Sequence, residues 1–360
     1  MTKRICYFLG TYEDWGGASR ALLNFITRVD RDAFEPLVVL SRKGSLLAQL
    51  ERDGIGTTIV PKRDWDGNPF RFLLSIIDSI LFFRKHRIDL IHCNGGALGW
   101  KPPELIAAWI MRIPVLMHFH ITTARPTPFL KYVRGVIVVS KSVSENSDFR
   151  SKPVTVLHNI ADLDRFAHGH SIRPELNFNP DDLVIGFLGQ VKRIKGVDLF
   201  LRLPSAISDS NVRFLIAGEI KDKDDEFRAW FDKSLSADPR IKYVGYRTDP
   251  ENLYATADIL VMPSQWEEPC AMVLFESAAA RKPIVASRTG GTPEIITHNE
   301  NGLLFDKADF DQLVGHVRRL LDDPAERARI GSTSREVVDK NFTLKPVRDL
   351  ERLYTRVLGG

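Results

Sequence analysis

The sequence predicts an α/β chain of two domains, each built on a parallel sheet. Short apolar runs alternate with longer amphipathic stretches, the pattern of parallel strands joined by helical crossovers. The alternation lapses at about 166–181 and then restarts. The 360 residues, 44% hydrophobic and 27% charged, supply apolar material for two cores.

In the first half, Ile5–Leu9, Pro36–Leu40, Gly56–Val60, Leu90–Cys93, Val115–His118 and Val136–Val139 read as buried strands, with residues 154–158 as one more. Ala18–Arg28 and Leu46–Asp53 carry helical spacing between them. Pro69–Arg87 (PFRFLLSIIDSILFFRKHR) is apolar around most of its circumference, and Arg84, Lys85 and Arg87 suit a helix C-terminus. It reads either as a helix packed on the sheet or as an interfacial helix that inserts Trp65, Phe70 and Phe72 into a bilayer. The segment 166–181, rich in His, Pro, Asn and Gly, reads as a linker. Val184–Leu188, Arg213–Ala217, Ile241–Val244, Ile259–Met262 and Pro283–Ala286 form a second strand set, followed by helices at about 309–322, 324–340 and 346–357. The expected domains are 1–168 and 169–342, with 343–360 as a final helix crossing back to the first.

Composition excludes several classes. Cys6, Cys93 and Cys270 stand far apart without Cys-x-x-Cys, which argues against a disulfide scaffold or a thiolate zinc site and fits a reducing compartment. No apolar stretch of about 20 residues is present, so no span across a membrane is expected, and the run after Lys3 and Arg4 is too short for a signal-peptide core. Net charge is +4, unevenly placed: 23 basic and 16 acidic residues in 1–165, against 27 and 30 in the remainder. The basic first half points to an anionic partner, either a lipid surface or a phosphorylated acceptor; chance asymmetry of a solvated surface is the alternative. No nucleic-acid partner is expected. Asp-x-Asp pairs occur at Asp30/Asp32, Asp64/Asp66, Asp162/Asp164 and Asp222/Asp224, too often to mark a metal site.

The chemistry concentrates in residues 264–294, SQWEEPCAMVLFESAAARKPIVASRTGGTPE. If Met272–Ala280 is helical, Cys270, Ala271, Met272 and Val273 offer backbone N–H groups at a helix N-terminus, which suits phosphate. Carboxylates there repel phosphate, so Glu268 and Glu276 must accept hydrogen bonds from hydroxyls. Two acids flanking an anion-binding helix end describe a sugar nucleotide. Upstream, Gly189–Gly196 (GQVKRIKG) follows an apolar strand, and Lys195 is a cation able to neutralise a leaving diphosphate. Gly291 and Thr292 open a further loop, and Gly16 and Gly17 turn the chain between the first strand and first helix. All these turns fall at the carboxyl ends of strands, where open α/β sheets bind ligands.

Together these residues resemble the retaining glycosyltransferases of family 4, over nearly the whole chain. EEPCAMVLFESAAARKPIVASRTGGTPEII with NGLLF follows the family's Glu-x7-Glu block and glycine-rich donor loop. WGGASR, VIVVSKSV, VLHNIADLDRF and GQVKRIKG follow its weaker motifs in order. The resemblance implies a GT-B fold, two Rossmann-like domains facing each other across a cleft, with the acceptor on the first and the donor on the second. It implies that Glu276 holds the ribose, Glu268 the donor sugar and Lys195 the diphosphate. Gly16 and Gly17 would face the diphosphate and acceptor, and His120 would lie near the transferred sugar. His118, two residues earlier on the same face, reads as a core histidine.

Departures from the pattern are Gln190 in place of arginine, Ala271 and Arg281 in place of glycines, and Ile160 in place of the glycine of an Asn-Gly pair. Lys192 or Arg193 is the candidate replacement for the missing phosphate cation. Arg281 stands where a helix end calls for positive φ. Dehydrogenase and P-loop signatures are missing. Two rivals stand beside a glycosyltransferase: a sugar-nucleotide epimerase or hydrolase of the same fold, and a catalytically weak subunit that binds nucleotide sugar or glycan. The expectation is a metal-independent hexosyltransferase without a cofactor. It would take a nucleoside-diphosphate sugar as substrate and a glycan or lipid-linked acceptor. It would work in the cytoplasm, with an anionic membrane surface as a further partner.

Overall fold

A computed structural model describes residues 2–9, 17–61, 65–95, 102–125, 127–150, 152–222 and 224–359. The chain forms two compact units, Met1–Ile160 with Leu344–Gly360, and Ala161–Thr343.

The first unit holds β1 (Lys3–Leu9), α1 (Gly17–Ile26), β2 (Phe34–Leu40), α2 (Ser45–Arg52), β3 (Gly56–Ile59), α3 (Pro69–His86), β4 (Leu90–Asn94), α4 (Pro103–Ile110), β5 (Val115–Phe119), β6 (Gly135–Val138), α5 (Lys141–Glu145) and β7 (Val154–Val156). Its seven strands are all parallel, in the order β3-β2-β1-β4-β5-β6-β7. The order reverses direction at β1. Right-handed crossovers therefore put α1 and α2 on one face and α3 and α4 on the other. The final helix joins the first face: its Val347, Leu350, Leu353 and Tyr354 pack with Ile5, Leu22, Phe34 and Leu50.

The second unit holds α6 (Leu163–Ala167), β8 (Leu183–Leu188), α7 (Val197–Ala206), β9 (Val212–Ala217), α8 (Asp225–Ser236), β10 (Ile241–Tyr243), α9 (Pro250–Thr256), β11 (Ile259–Met262), α10 (Met272–Ala279), β12 (Ile284–Ser287), α11 (Thr292–Ile295), β13 (Leu303–Phe305), α12 (Phe310–Asp322) and α13 (Pro324–Asn341). The final helix of the first unit is α14 (Leu344–Gly359). Six parallel strands run β10-β9-β8-β11-β12-β13, with the direction reversing at β8. Phe200, Phe214, Phe227 and Phe231 fill the core between this sheet and its helices.

Residues 166–181 are not a linker. Ile172, Leu176 and Phe178 are buried against Val184, Leu215 and Leu253, and Arg173 bonds Asp258 at 2.6 Å. The irregular spacing of those apolar residues conceals their burial in the sequence. Arg281 adopts φ 55°, as a helix-ending position should. It is also where the Gly331 backbone passes: a Cβ on Gly331 would stand 2.1 Å from the Arg281 carbonyl oxygen.

Candidate functional site

In the second unit the carboxyl ends of β8, β11 and β12 hold the acids and the lysine. Lys195 lies in a short 3-10 turn, Arg193–Lys195, closed by Gly196 at φ 75°. A Cβ on Gly196 would stand 1.7 Å from the Pro263 carbonyl oxygen, so only glycine lets this turn lie against the end of β11. Lys195 Nζ donates to both Glu268 oxygens, at 2.7 and 3.0 Å. It also stands 4.8 Å over the Trp266 ring. The Ser264 hydroxyl donates to Glu268 Oε1. Glu268 is buried, 3% exposed, and this ion pair with its added hydroxyl is the arrangement a buried carboxylate needs.

The loop after β12 clamps the same segment. Gly290, at φ 49°, presses on Glu268 so closely that a Cβ would lie 2.2 Å from its carbonyl oxygen. Gly290 N–H donates to Glu267 Oε2 and Gly291 N–H to the Glu268 carbonyl, each at 2.7 Å. Lys307 holds the other Glu267 oxygen at 3.2 Å.

Glu276 lies inside α10, 5% exposed, and accepts the Tyr254 hydroxyl of α9 at 2.6 Å. Helix α10 starts from Ala271, whose side chain cannot cap it. Cys270 is buried, and Ala271, Met272 and Val273 are half-buried. The Thr292 hydroxyl and Trp266 Nε1 are buried without hydrogen-bond partners among the described residues. Such atoms are uncommon in folded proteins, where water, an ion or a ligand can satisfy them. Gln190 is exposed. The Arg193 guanidinium lies 5.3 Å over both Phe227 and Trp230 of α8, so its stacking partners are those rings.

In the first unit the carboxyl ends of β4 and β5 carry a column of neutral polar rings. His120 follows β5 directly and donates Nε2–H to Asn94 Oδ1 of β4 at 2.5 Å. That leaves Nδ1 as its lone-pair acceptor. His118 stacks on His120 with ring centroids 4.3 Å apart. Beneath it, His118 Nδ1 meets His92 Nε2 at 3.1 Å, and His92 Nδ1 meets the Tyr354 hydroxyl at 2.6 Å. Tyr354, from α14, donates to Tyr7 at 3.1 Å. A phenol has one proton, so His92 Nδ1–H donates to Tyr354, and His92 Nε2 accepts from His118. His118 Nε2 is then a bare acceptor, buried without a partner among the described residues. Burial pulls His120 down to about 4 and His92 to about 3, and takes His118 well below the usual imidazole range. All three rings are neutral at pH 7.

The fold thus brings Lys195, Glu268, Gly291 and Thr292 into one layer of the second unit, with Glu276 on the adjoining helix. Gly17 begins α1 with no atom of the described residues within 4 Å of a Cβ built on it, and Gly16 lies outside the described residues. Ser264, Tyr254, Trp266, Asn94, His92 and Tyr354 are further participants that sequence reasoning missed. Ser264, four residues before Glu268, had a local signal; Tyr354, 262 positions from His92, had none. Among the described residues, no group of three His, Cys, Asp or Glu side chains is placed to hold a metal ion.

The chain is similar to known glycosyltransferases in sequence and in fold. The lipopolysaccharide core biosynthesis glycosyltransferase LpsD of Rhizobium meliloti is 25% identical over 344 residues, 93% of each chain. A glycosyltransferase structure from Rickettsia africae superposes with a TM-score of 0.86 over 99% of both chains, at 19% identity. Anabaena HepE in complex with UDP and glucose gives a TM-score of 0.80 over 98% of this chain and 99% of HepE, also at 19% identity. These structures share the two-domain GT-B fold. The model for Glycosyltransferase Family 4 matches residues 15–165 and that for Glycosyl transferases group 1 matches residues 170–337, so the chain belongs to this glycosyltransferase family.

Proposed function

We propose that the protein transfers a hexose from a nucleoside-diphosphate sugar to a hydroxyl of a glycan or lipid-linked acceptor, with retention at the anomeric carbon. The observation that carries this reading is the Lys195–Glu268 pair, held between two glycine turns beside the start of α10. An ammonium has three donors, and two are engaged by Glu268. The third, with the α10 N–H groups, is suited to the donor's diphosphate. Glu268 would then meet sugar hydroxyls and Glu276 the ribose.

In the reaction, the acceptor oxygen forms a bond to the anomeric carbon as the bond to the β-phosphate oxygen breaks. The acceptor's proton passes to the leaving diphosphate on the same face. Lys195 and the helix N-terminus stabilise the charge that develops there. In the first unit, neutral His120 keeps Nδ1 as an acceptor suited to a substrate hydroxyl. The residues that act are protein side chains and substrate atoms, without a cofactor or metal.

UDP and glucose bound to HepE favour a uridine donor as the first to try. LpsD favours a lipid-linked glycan as acceptor. The three buried thiols suit a reducing cytoplasm, with the enzyme at the inner face of the membrane. The test is incubation with nucleotide sugars and lipid-linked glycan acceptors, following nucleoside diphosphate release and the anomeric configuration of the product. Release that depends on acceptor, with configuration kept, supports the proposal. Inversion, or release indifferent to acceptor, overturns it.

A further inference from the structure

We propose that the outer face of α3, continued by the end of α4, is a docking surface for an anionic lipid bilayer. The inference deepens the lipid-linked acceptor reading by giving the acceptor's membrane a place on the first unit, but the surface itself is independent of the donor assignment.

Helix α3 has two apolar faces. Ser75, Ile76 and Phe83 point inward and are buried, and Ser75 and Ser79 satisfy their hydroxyls on carbonyls one turn back. The opposite stripe is Phe70, Leu73, Leu74, Ile77 and Leu81, at helical spacing, exposed by 68, 52, 45, 44 and 57%. Trp109 and Ile110 at the end of α4, 62 and 52% exposed, add to it. Contiguous exposed apolar surface on this scale marks an interaction site. The helix itself is well specified: Asn68 caps it by accepting from Phe70 and Arg71 N–H, Pro69 occupies its first turn, and Arg87 ends it in the left-handed region. The exposed stripe is therefore a property of a formed helix. Phe72 is not one of its insertion residues: it turns half inward and packs edge-on against Trp65 and Phe129.

Charge and aromatic placement select the occupant. Exposed Arg84 and Lys85 fall on the same stripe as Leu81, one turn further on, followed by exposed Arg87, and Arg112 is exposed just after α4. Ring contacts continue from Phe129 to Tyr132 and from Tyr132 to Trp109, with Lys131 over the Tyr132 ring at 5.0 Å. Apolar side chains edged by Trp, Tyr and cations match the depth profile of a bilayer surface with negative headgroups. No described helix is long and apolar enough to cross a membrane, so contact here means lying on it. Because α3 runs antiparallel to the strands, its Phe70 end lies at the same end of the sheet as Asn94 and His120. A lipid-linked hydroxyl would therefore emerge at the end of the sheet that carries His120.

The test is co-sedimentation of the full chain, without donor, with vesicles of phosphatidylcholine alone or mixed with phosphatidylglycerol. The variants are Leu73→Gln/Ile77→Gln/Leu81→Gln and Arg84→Gln/Lys85→Gln/Arg87→Gln, with oligomeric state and thermal midpoint recorded for each. The wild type should bind the anionic vesicles and not the neutral ones. Each basic residue near such a surface contributes roughly fivefold in affinity, so the neutralised variant should bind roughly a hundredfold more weakly. The apolar variant should lose binding while keeping its thermal midpoint. Failure of the wild type to bind, equal binding to neutral vesicles, or unchanged binding by either variant overturns the proposal. So does a dimer that the apolar variant splits without effect on vesicles, which would make the face a contact between two copies of this chain. A failed donor assignment would leave vesicle binding unchanged, so the two ideas fail separately.

Discussion

The two units place polar groups at the carboxyl ends of parallel strands by opposite electrostatic means. In the second unit the groups are charged and paired: Lys195 with Glu268, and Glu267 with Lys307. In the first they are neutral: three imidazoles and two phenols in a column from buried Tyr7 to half-buried His120, the imidazoles kept uncharged by desolvation. An ion pair can exchange partners with a charged diphosphate, whereas a neutral ring with a free lone pair is fitted to a hydroxyl. The difference teaches that sheet topology fixes where a ligand binds, while local burial decides which chemistry it meets.

The largest expected effects lie at the charged end. Glu268→Gln should lower kcat by about 10²–10³ if, as proposed, Glu268 aims charge at the reacting sugar. Glu276→Gln should leave kcat near wild type and weaken donor binding by about 10–100-fold, the worth of charged hydrogen bonds to hydroxyls. Steady-state kinetics on both variants separates the roles; equal, near-native values for the two would remove both assignments.

Next comes Gly290→Ala. A Cβ there meets the Glu268 backbone at 2.2 Å in a left-handed conformation, so the loop must shift. The expected loss is about 2–3 kcal/mol of stability, read from denaturant midpoints. A Gly17→Ala control, where a Cβ meets nothing within 4 Å among the described residues, should leave the denaturant midpoint nearly unchanged.

At the neutral end effects should be smaller. Tyr354→Phe removes the partner of His92 Nδ1 and should cost about 1–3 kcal/mol, the price of a buried unsatisfied donor. An unchanged urea midpoint would show that the column contributes nothing to stability.

The column should also make the first unit sensitive to acid. Its imidazoles stay neutral in the fold but take up protons from pH 6.5 downward when unfolded. Below that pH the unfolded chain binds more protons, so the stabilisation present above about pH 6.5 is lost as the pH falls toward about 4 and then 3. His298 and His316 of the second unit shift in the same direction, also through burial, and are less enclosed. Region-resolved hydrogen exchange should therefore show β4 and β5 losing protection before β8 and β11. The reverse order would contradict the contrast between the units.

Much of this was legible in the sequence because its signals are local. Ile259–Met262 and the other long strands stand out as apolar runs, and Glu268 and Glu276 share one short motif with the helix between them. Leu303–Phe305 escaped notice as a strand because three residues after an Asn-Gly turn carry no periodicity. The neutral column escaped because His92, His118 and Tyr354 meet only after β4, β5 and α14 are assembled. The exposed stripe of α3 was half visible: apolar positions all round the helix announce two apolar faces, but which one faces solvent depends on where the sheet lies.

The measurement to make first is thermal stability with UDP, GDP, ADP and CMP, on wild type and Glu276→Ala. A diphosphate at 100 times its dissociation constant should stabilise the wild type by about 2.7 kcal/mol, and the variant should lose that shift. No shift with any nucleotide, or a shift that survives in Glu276→Ala, would contradict a nucleotide-sugar site built on Lys195, Glu268 and Glu276.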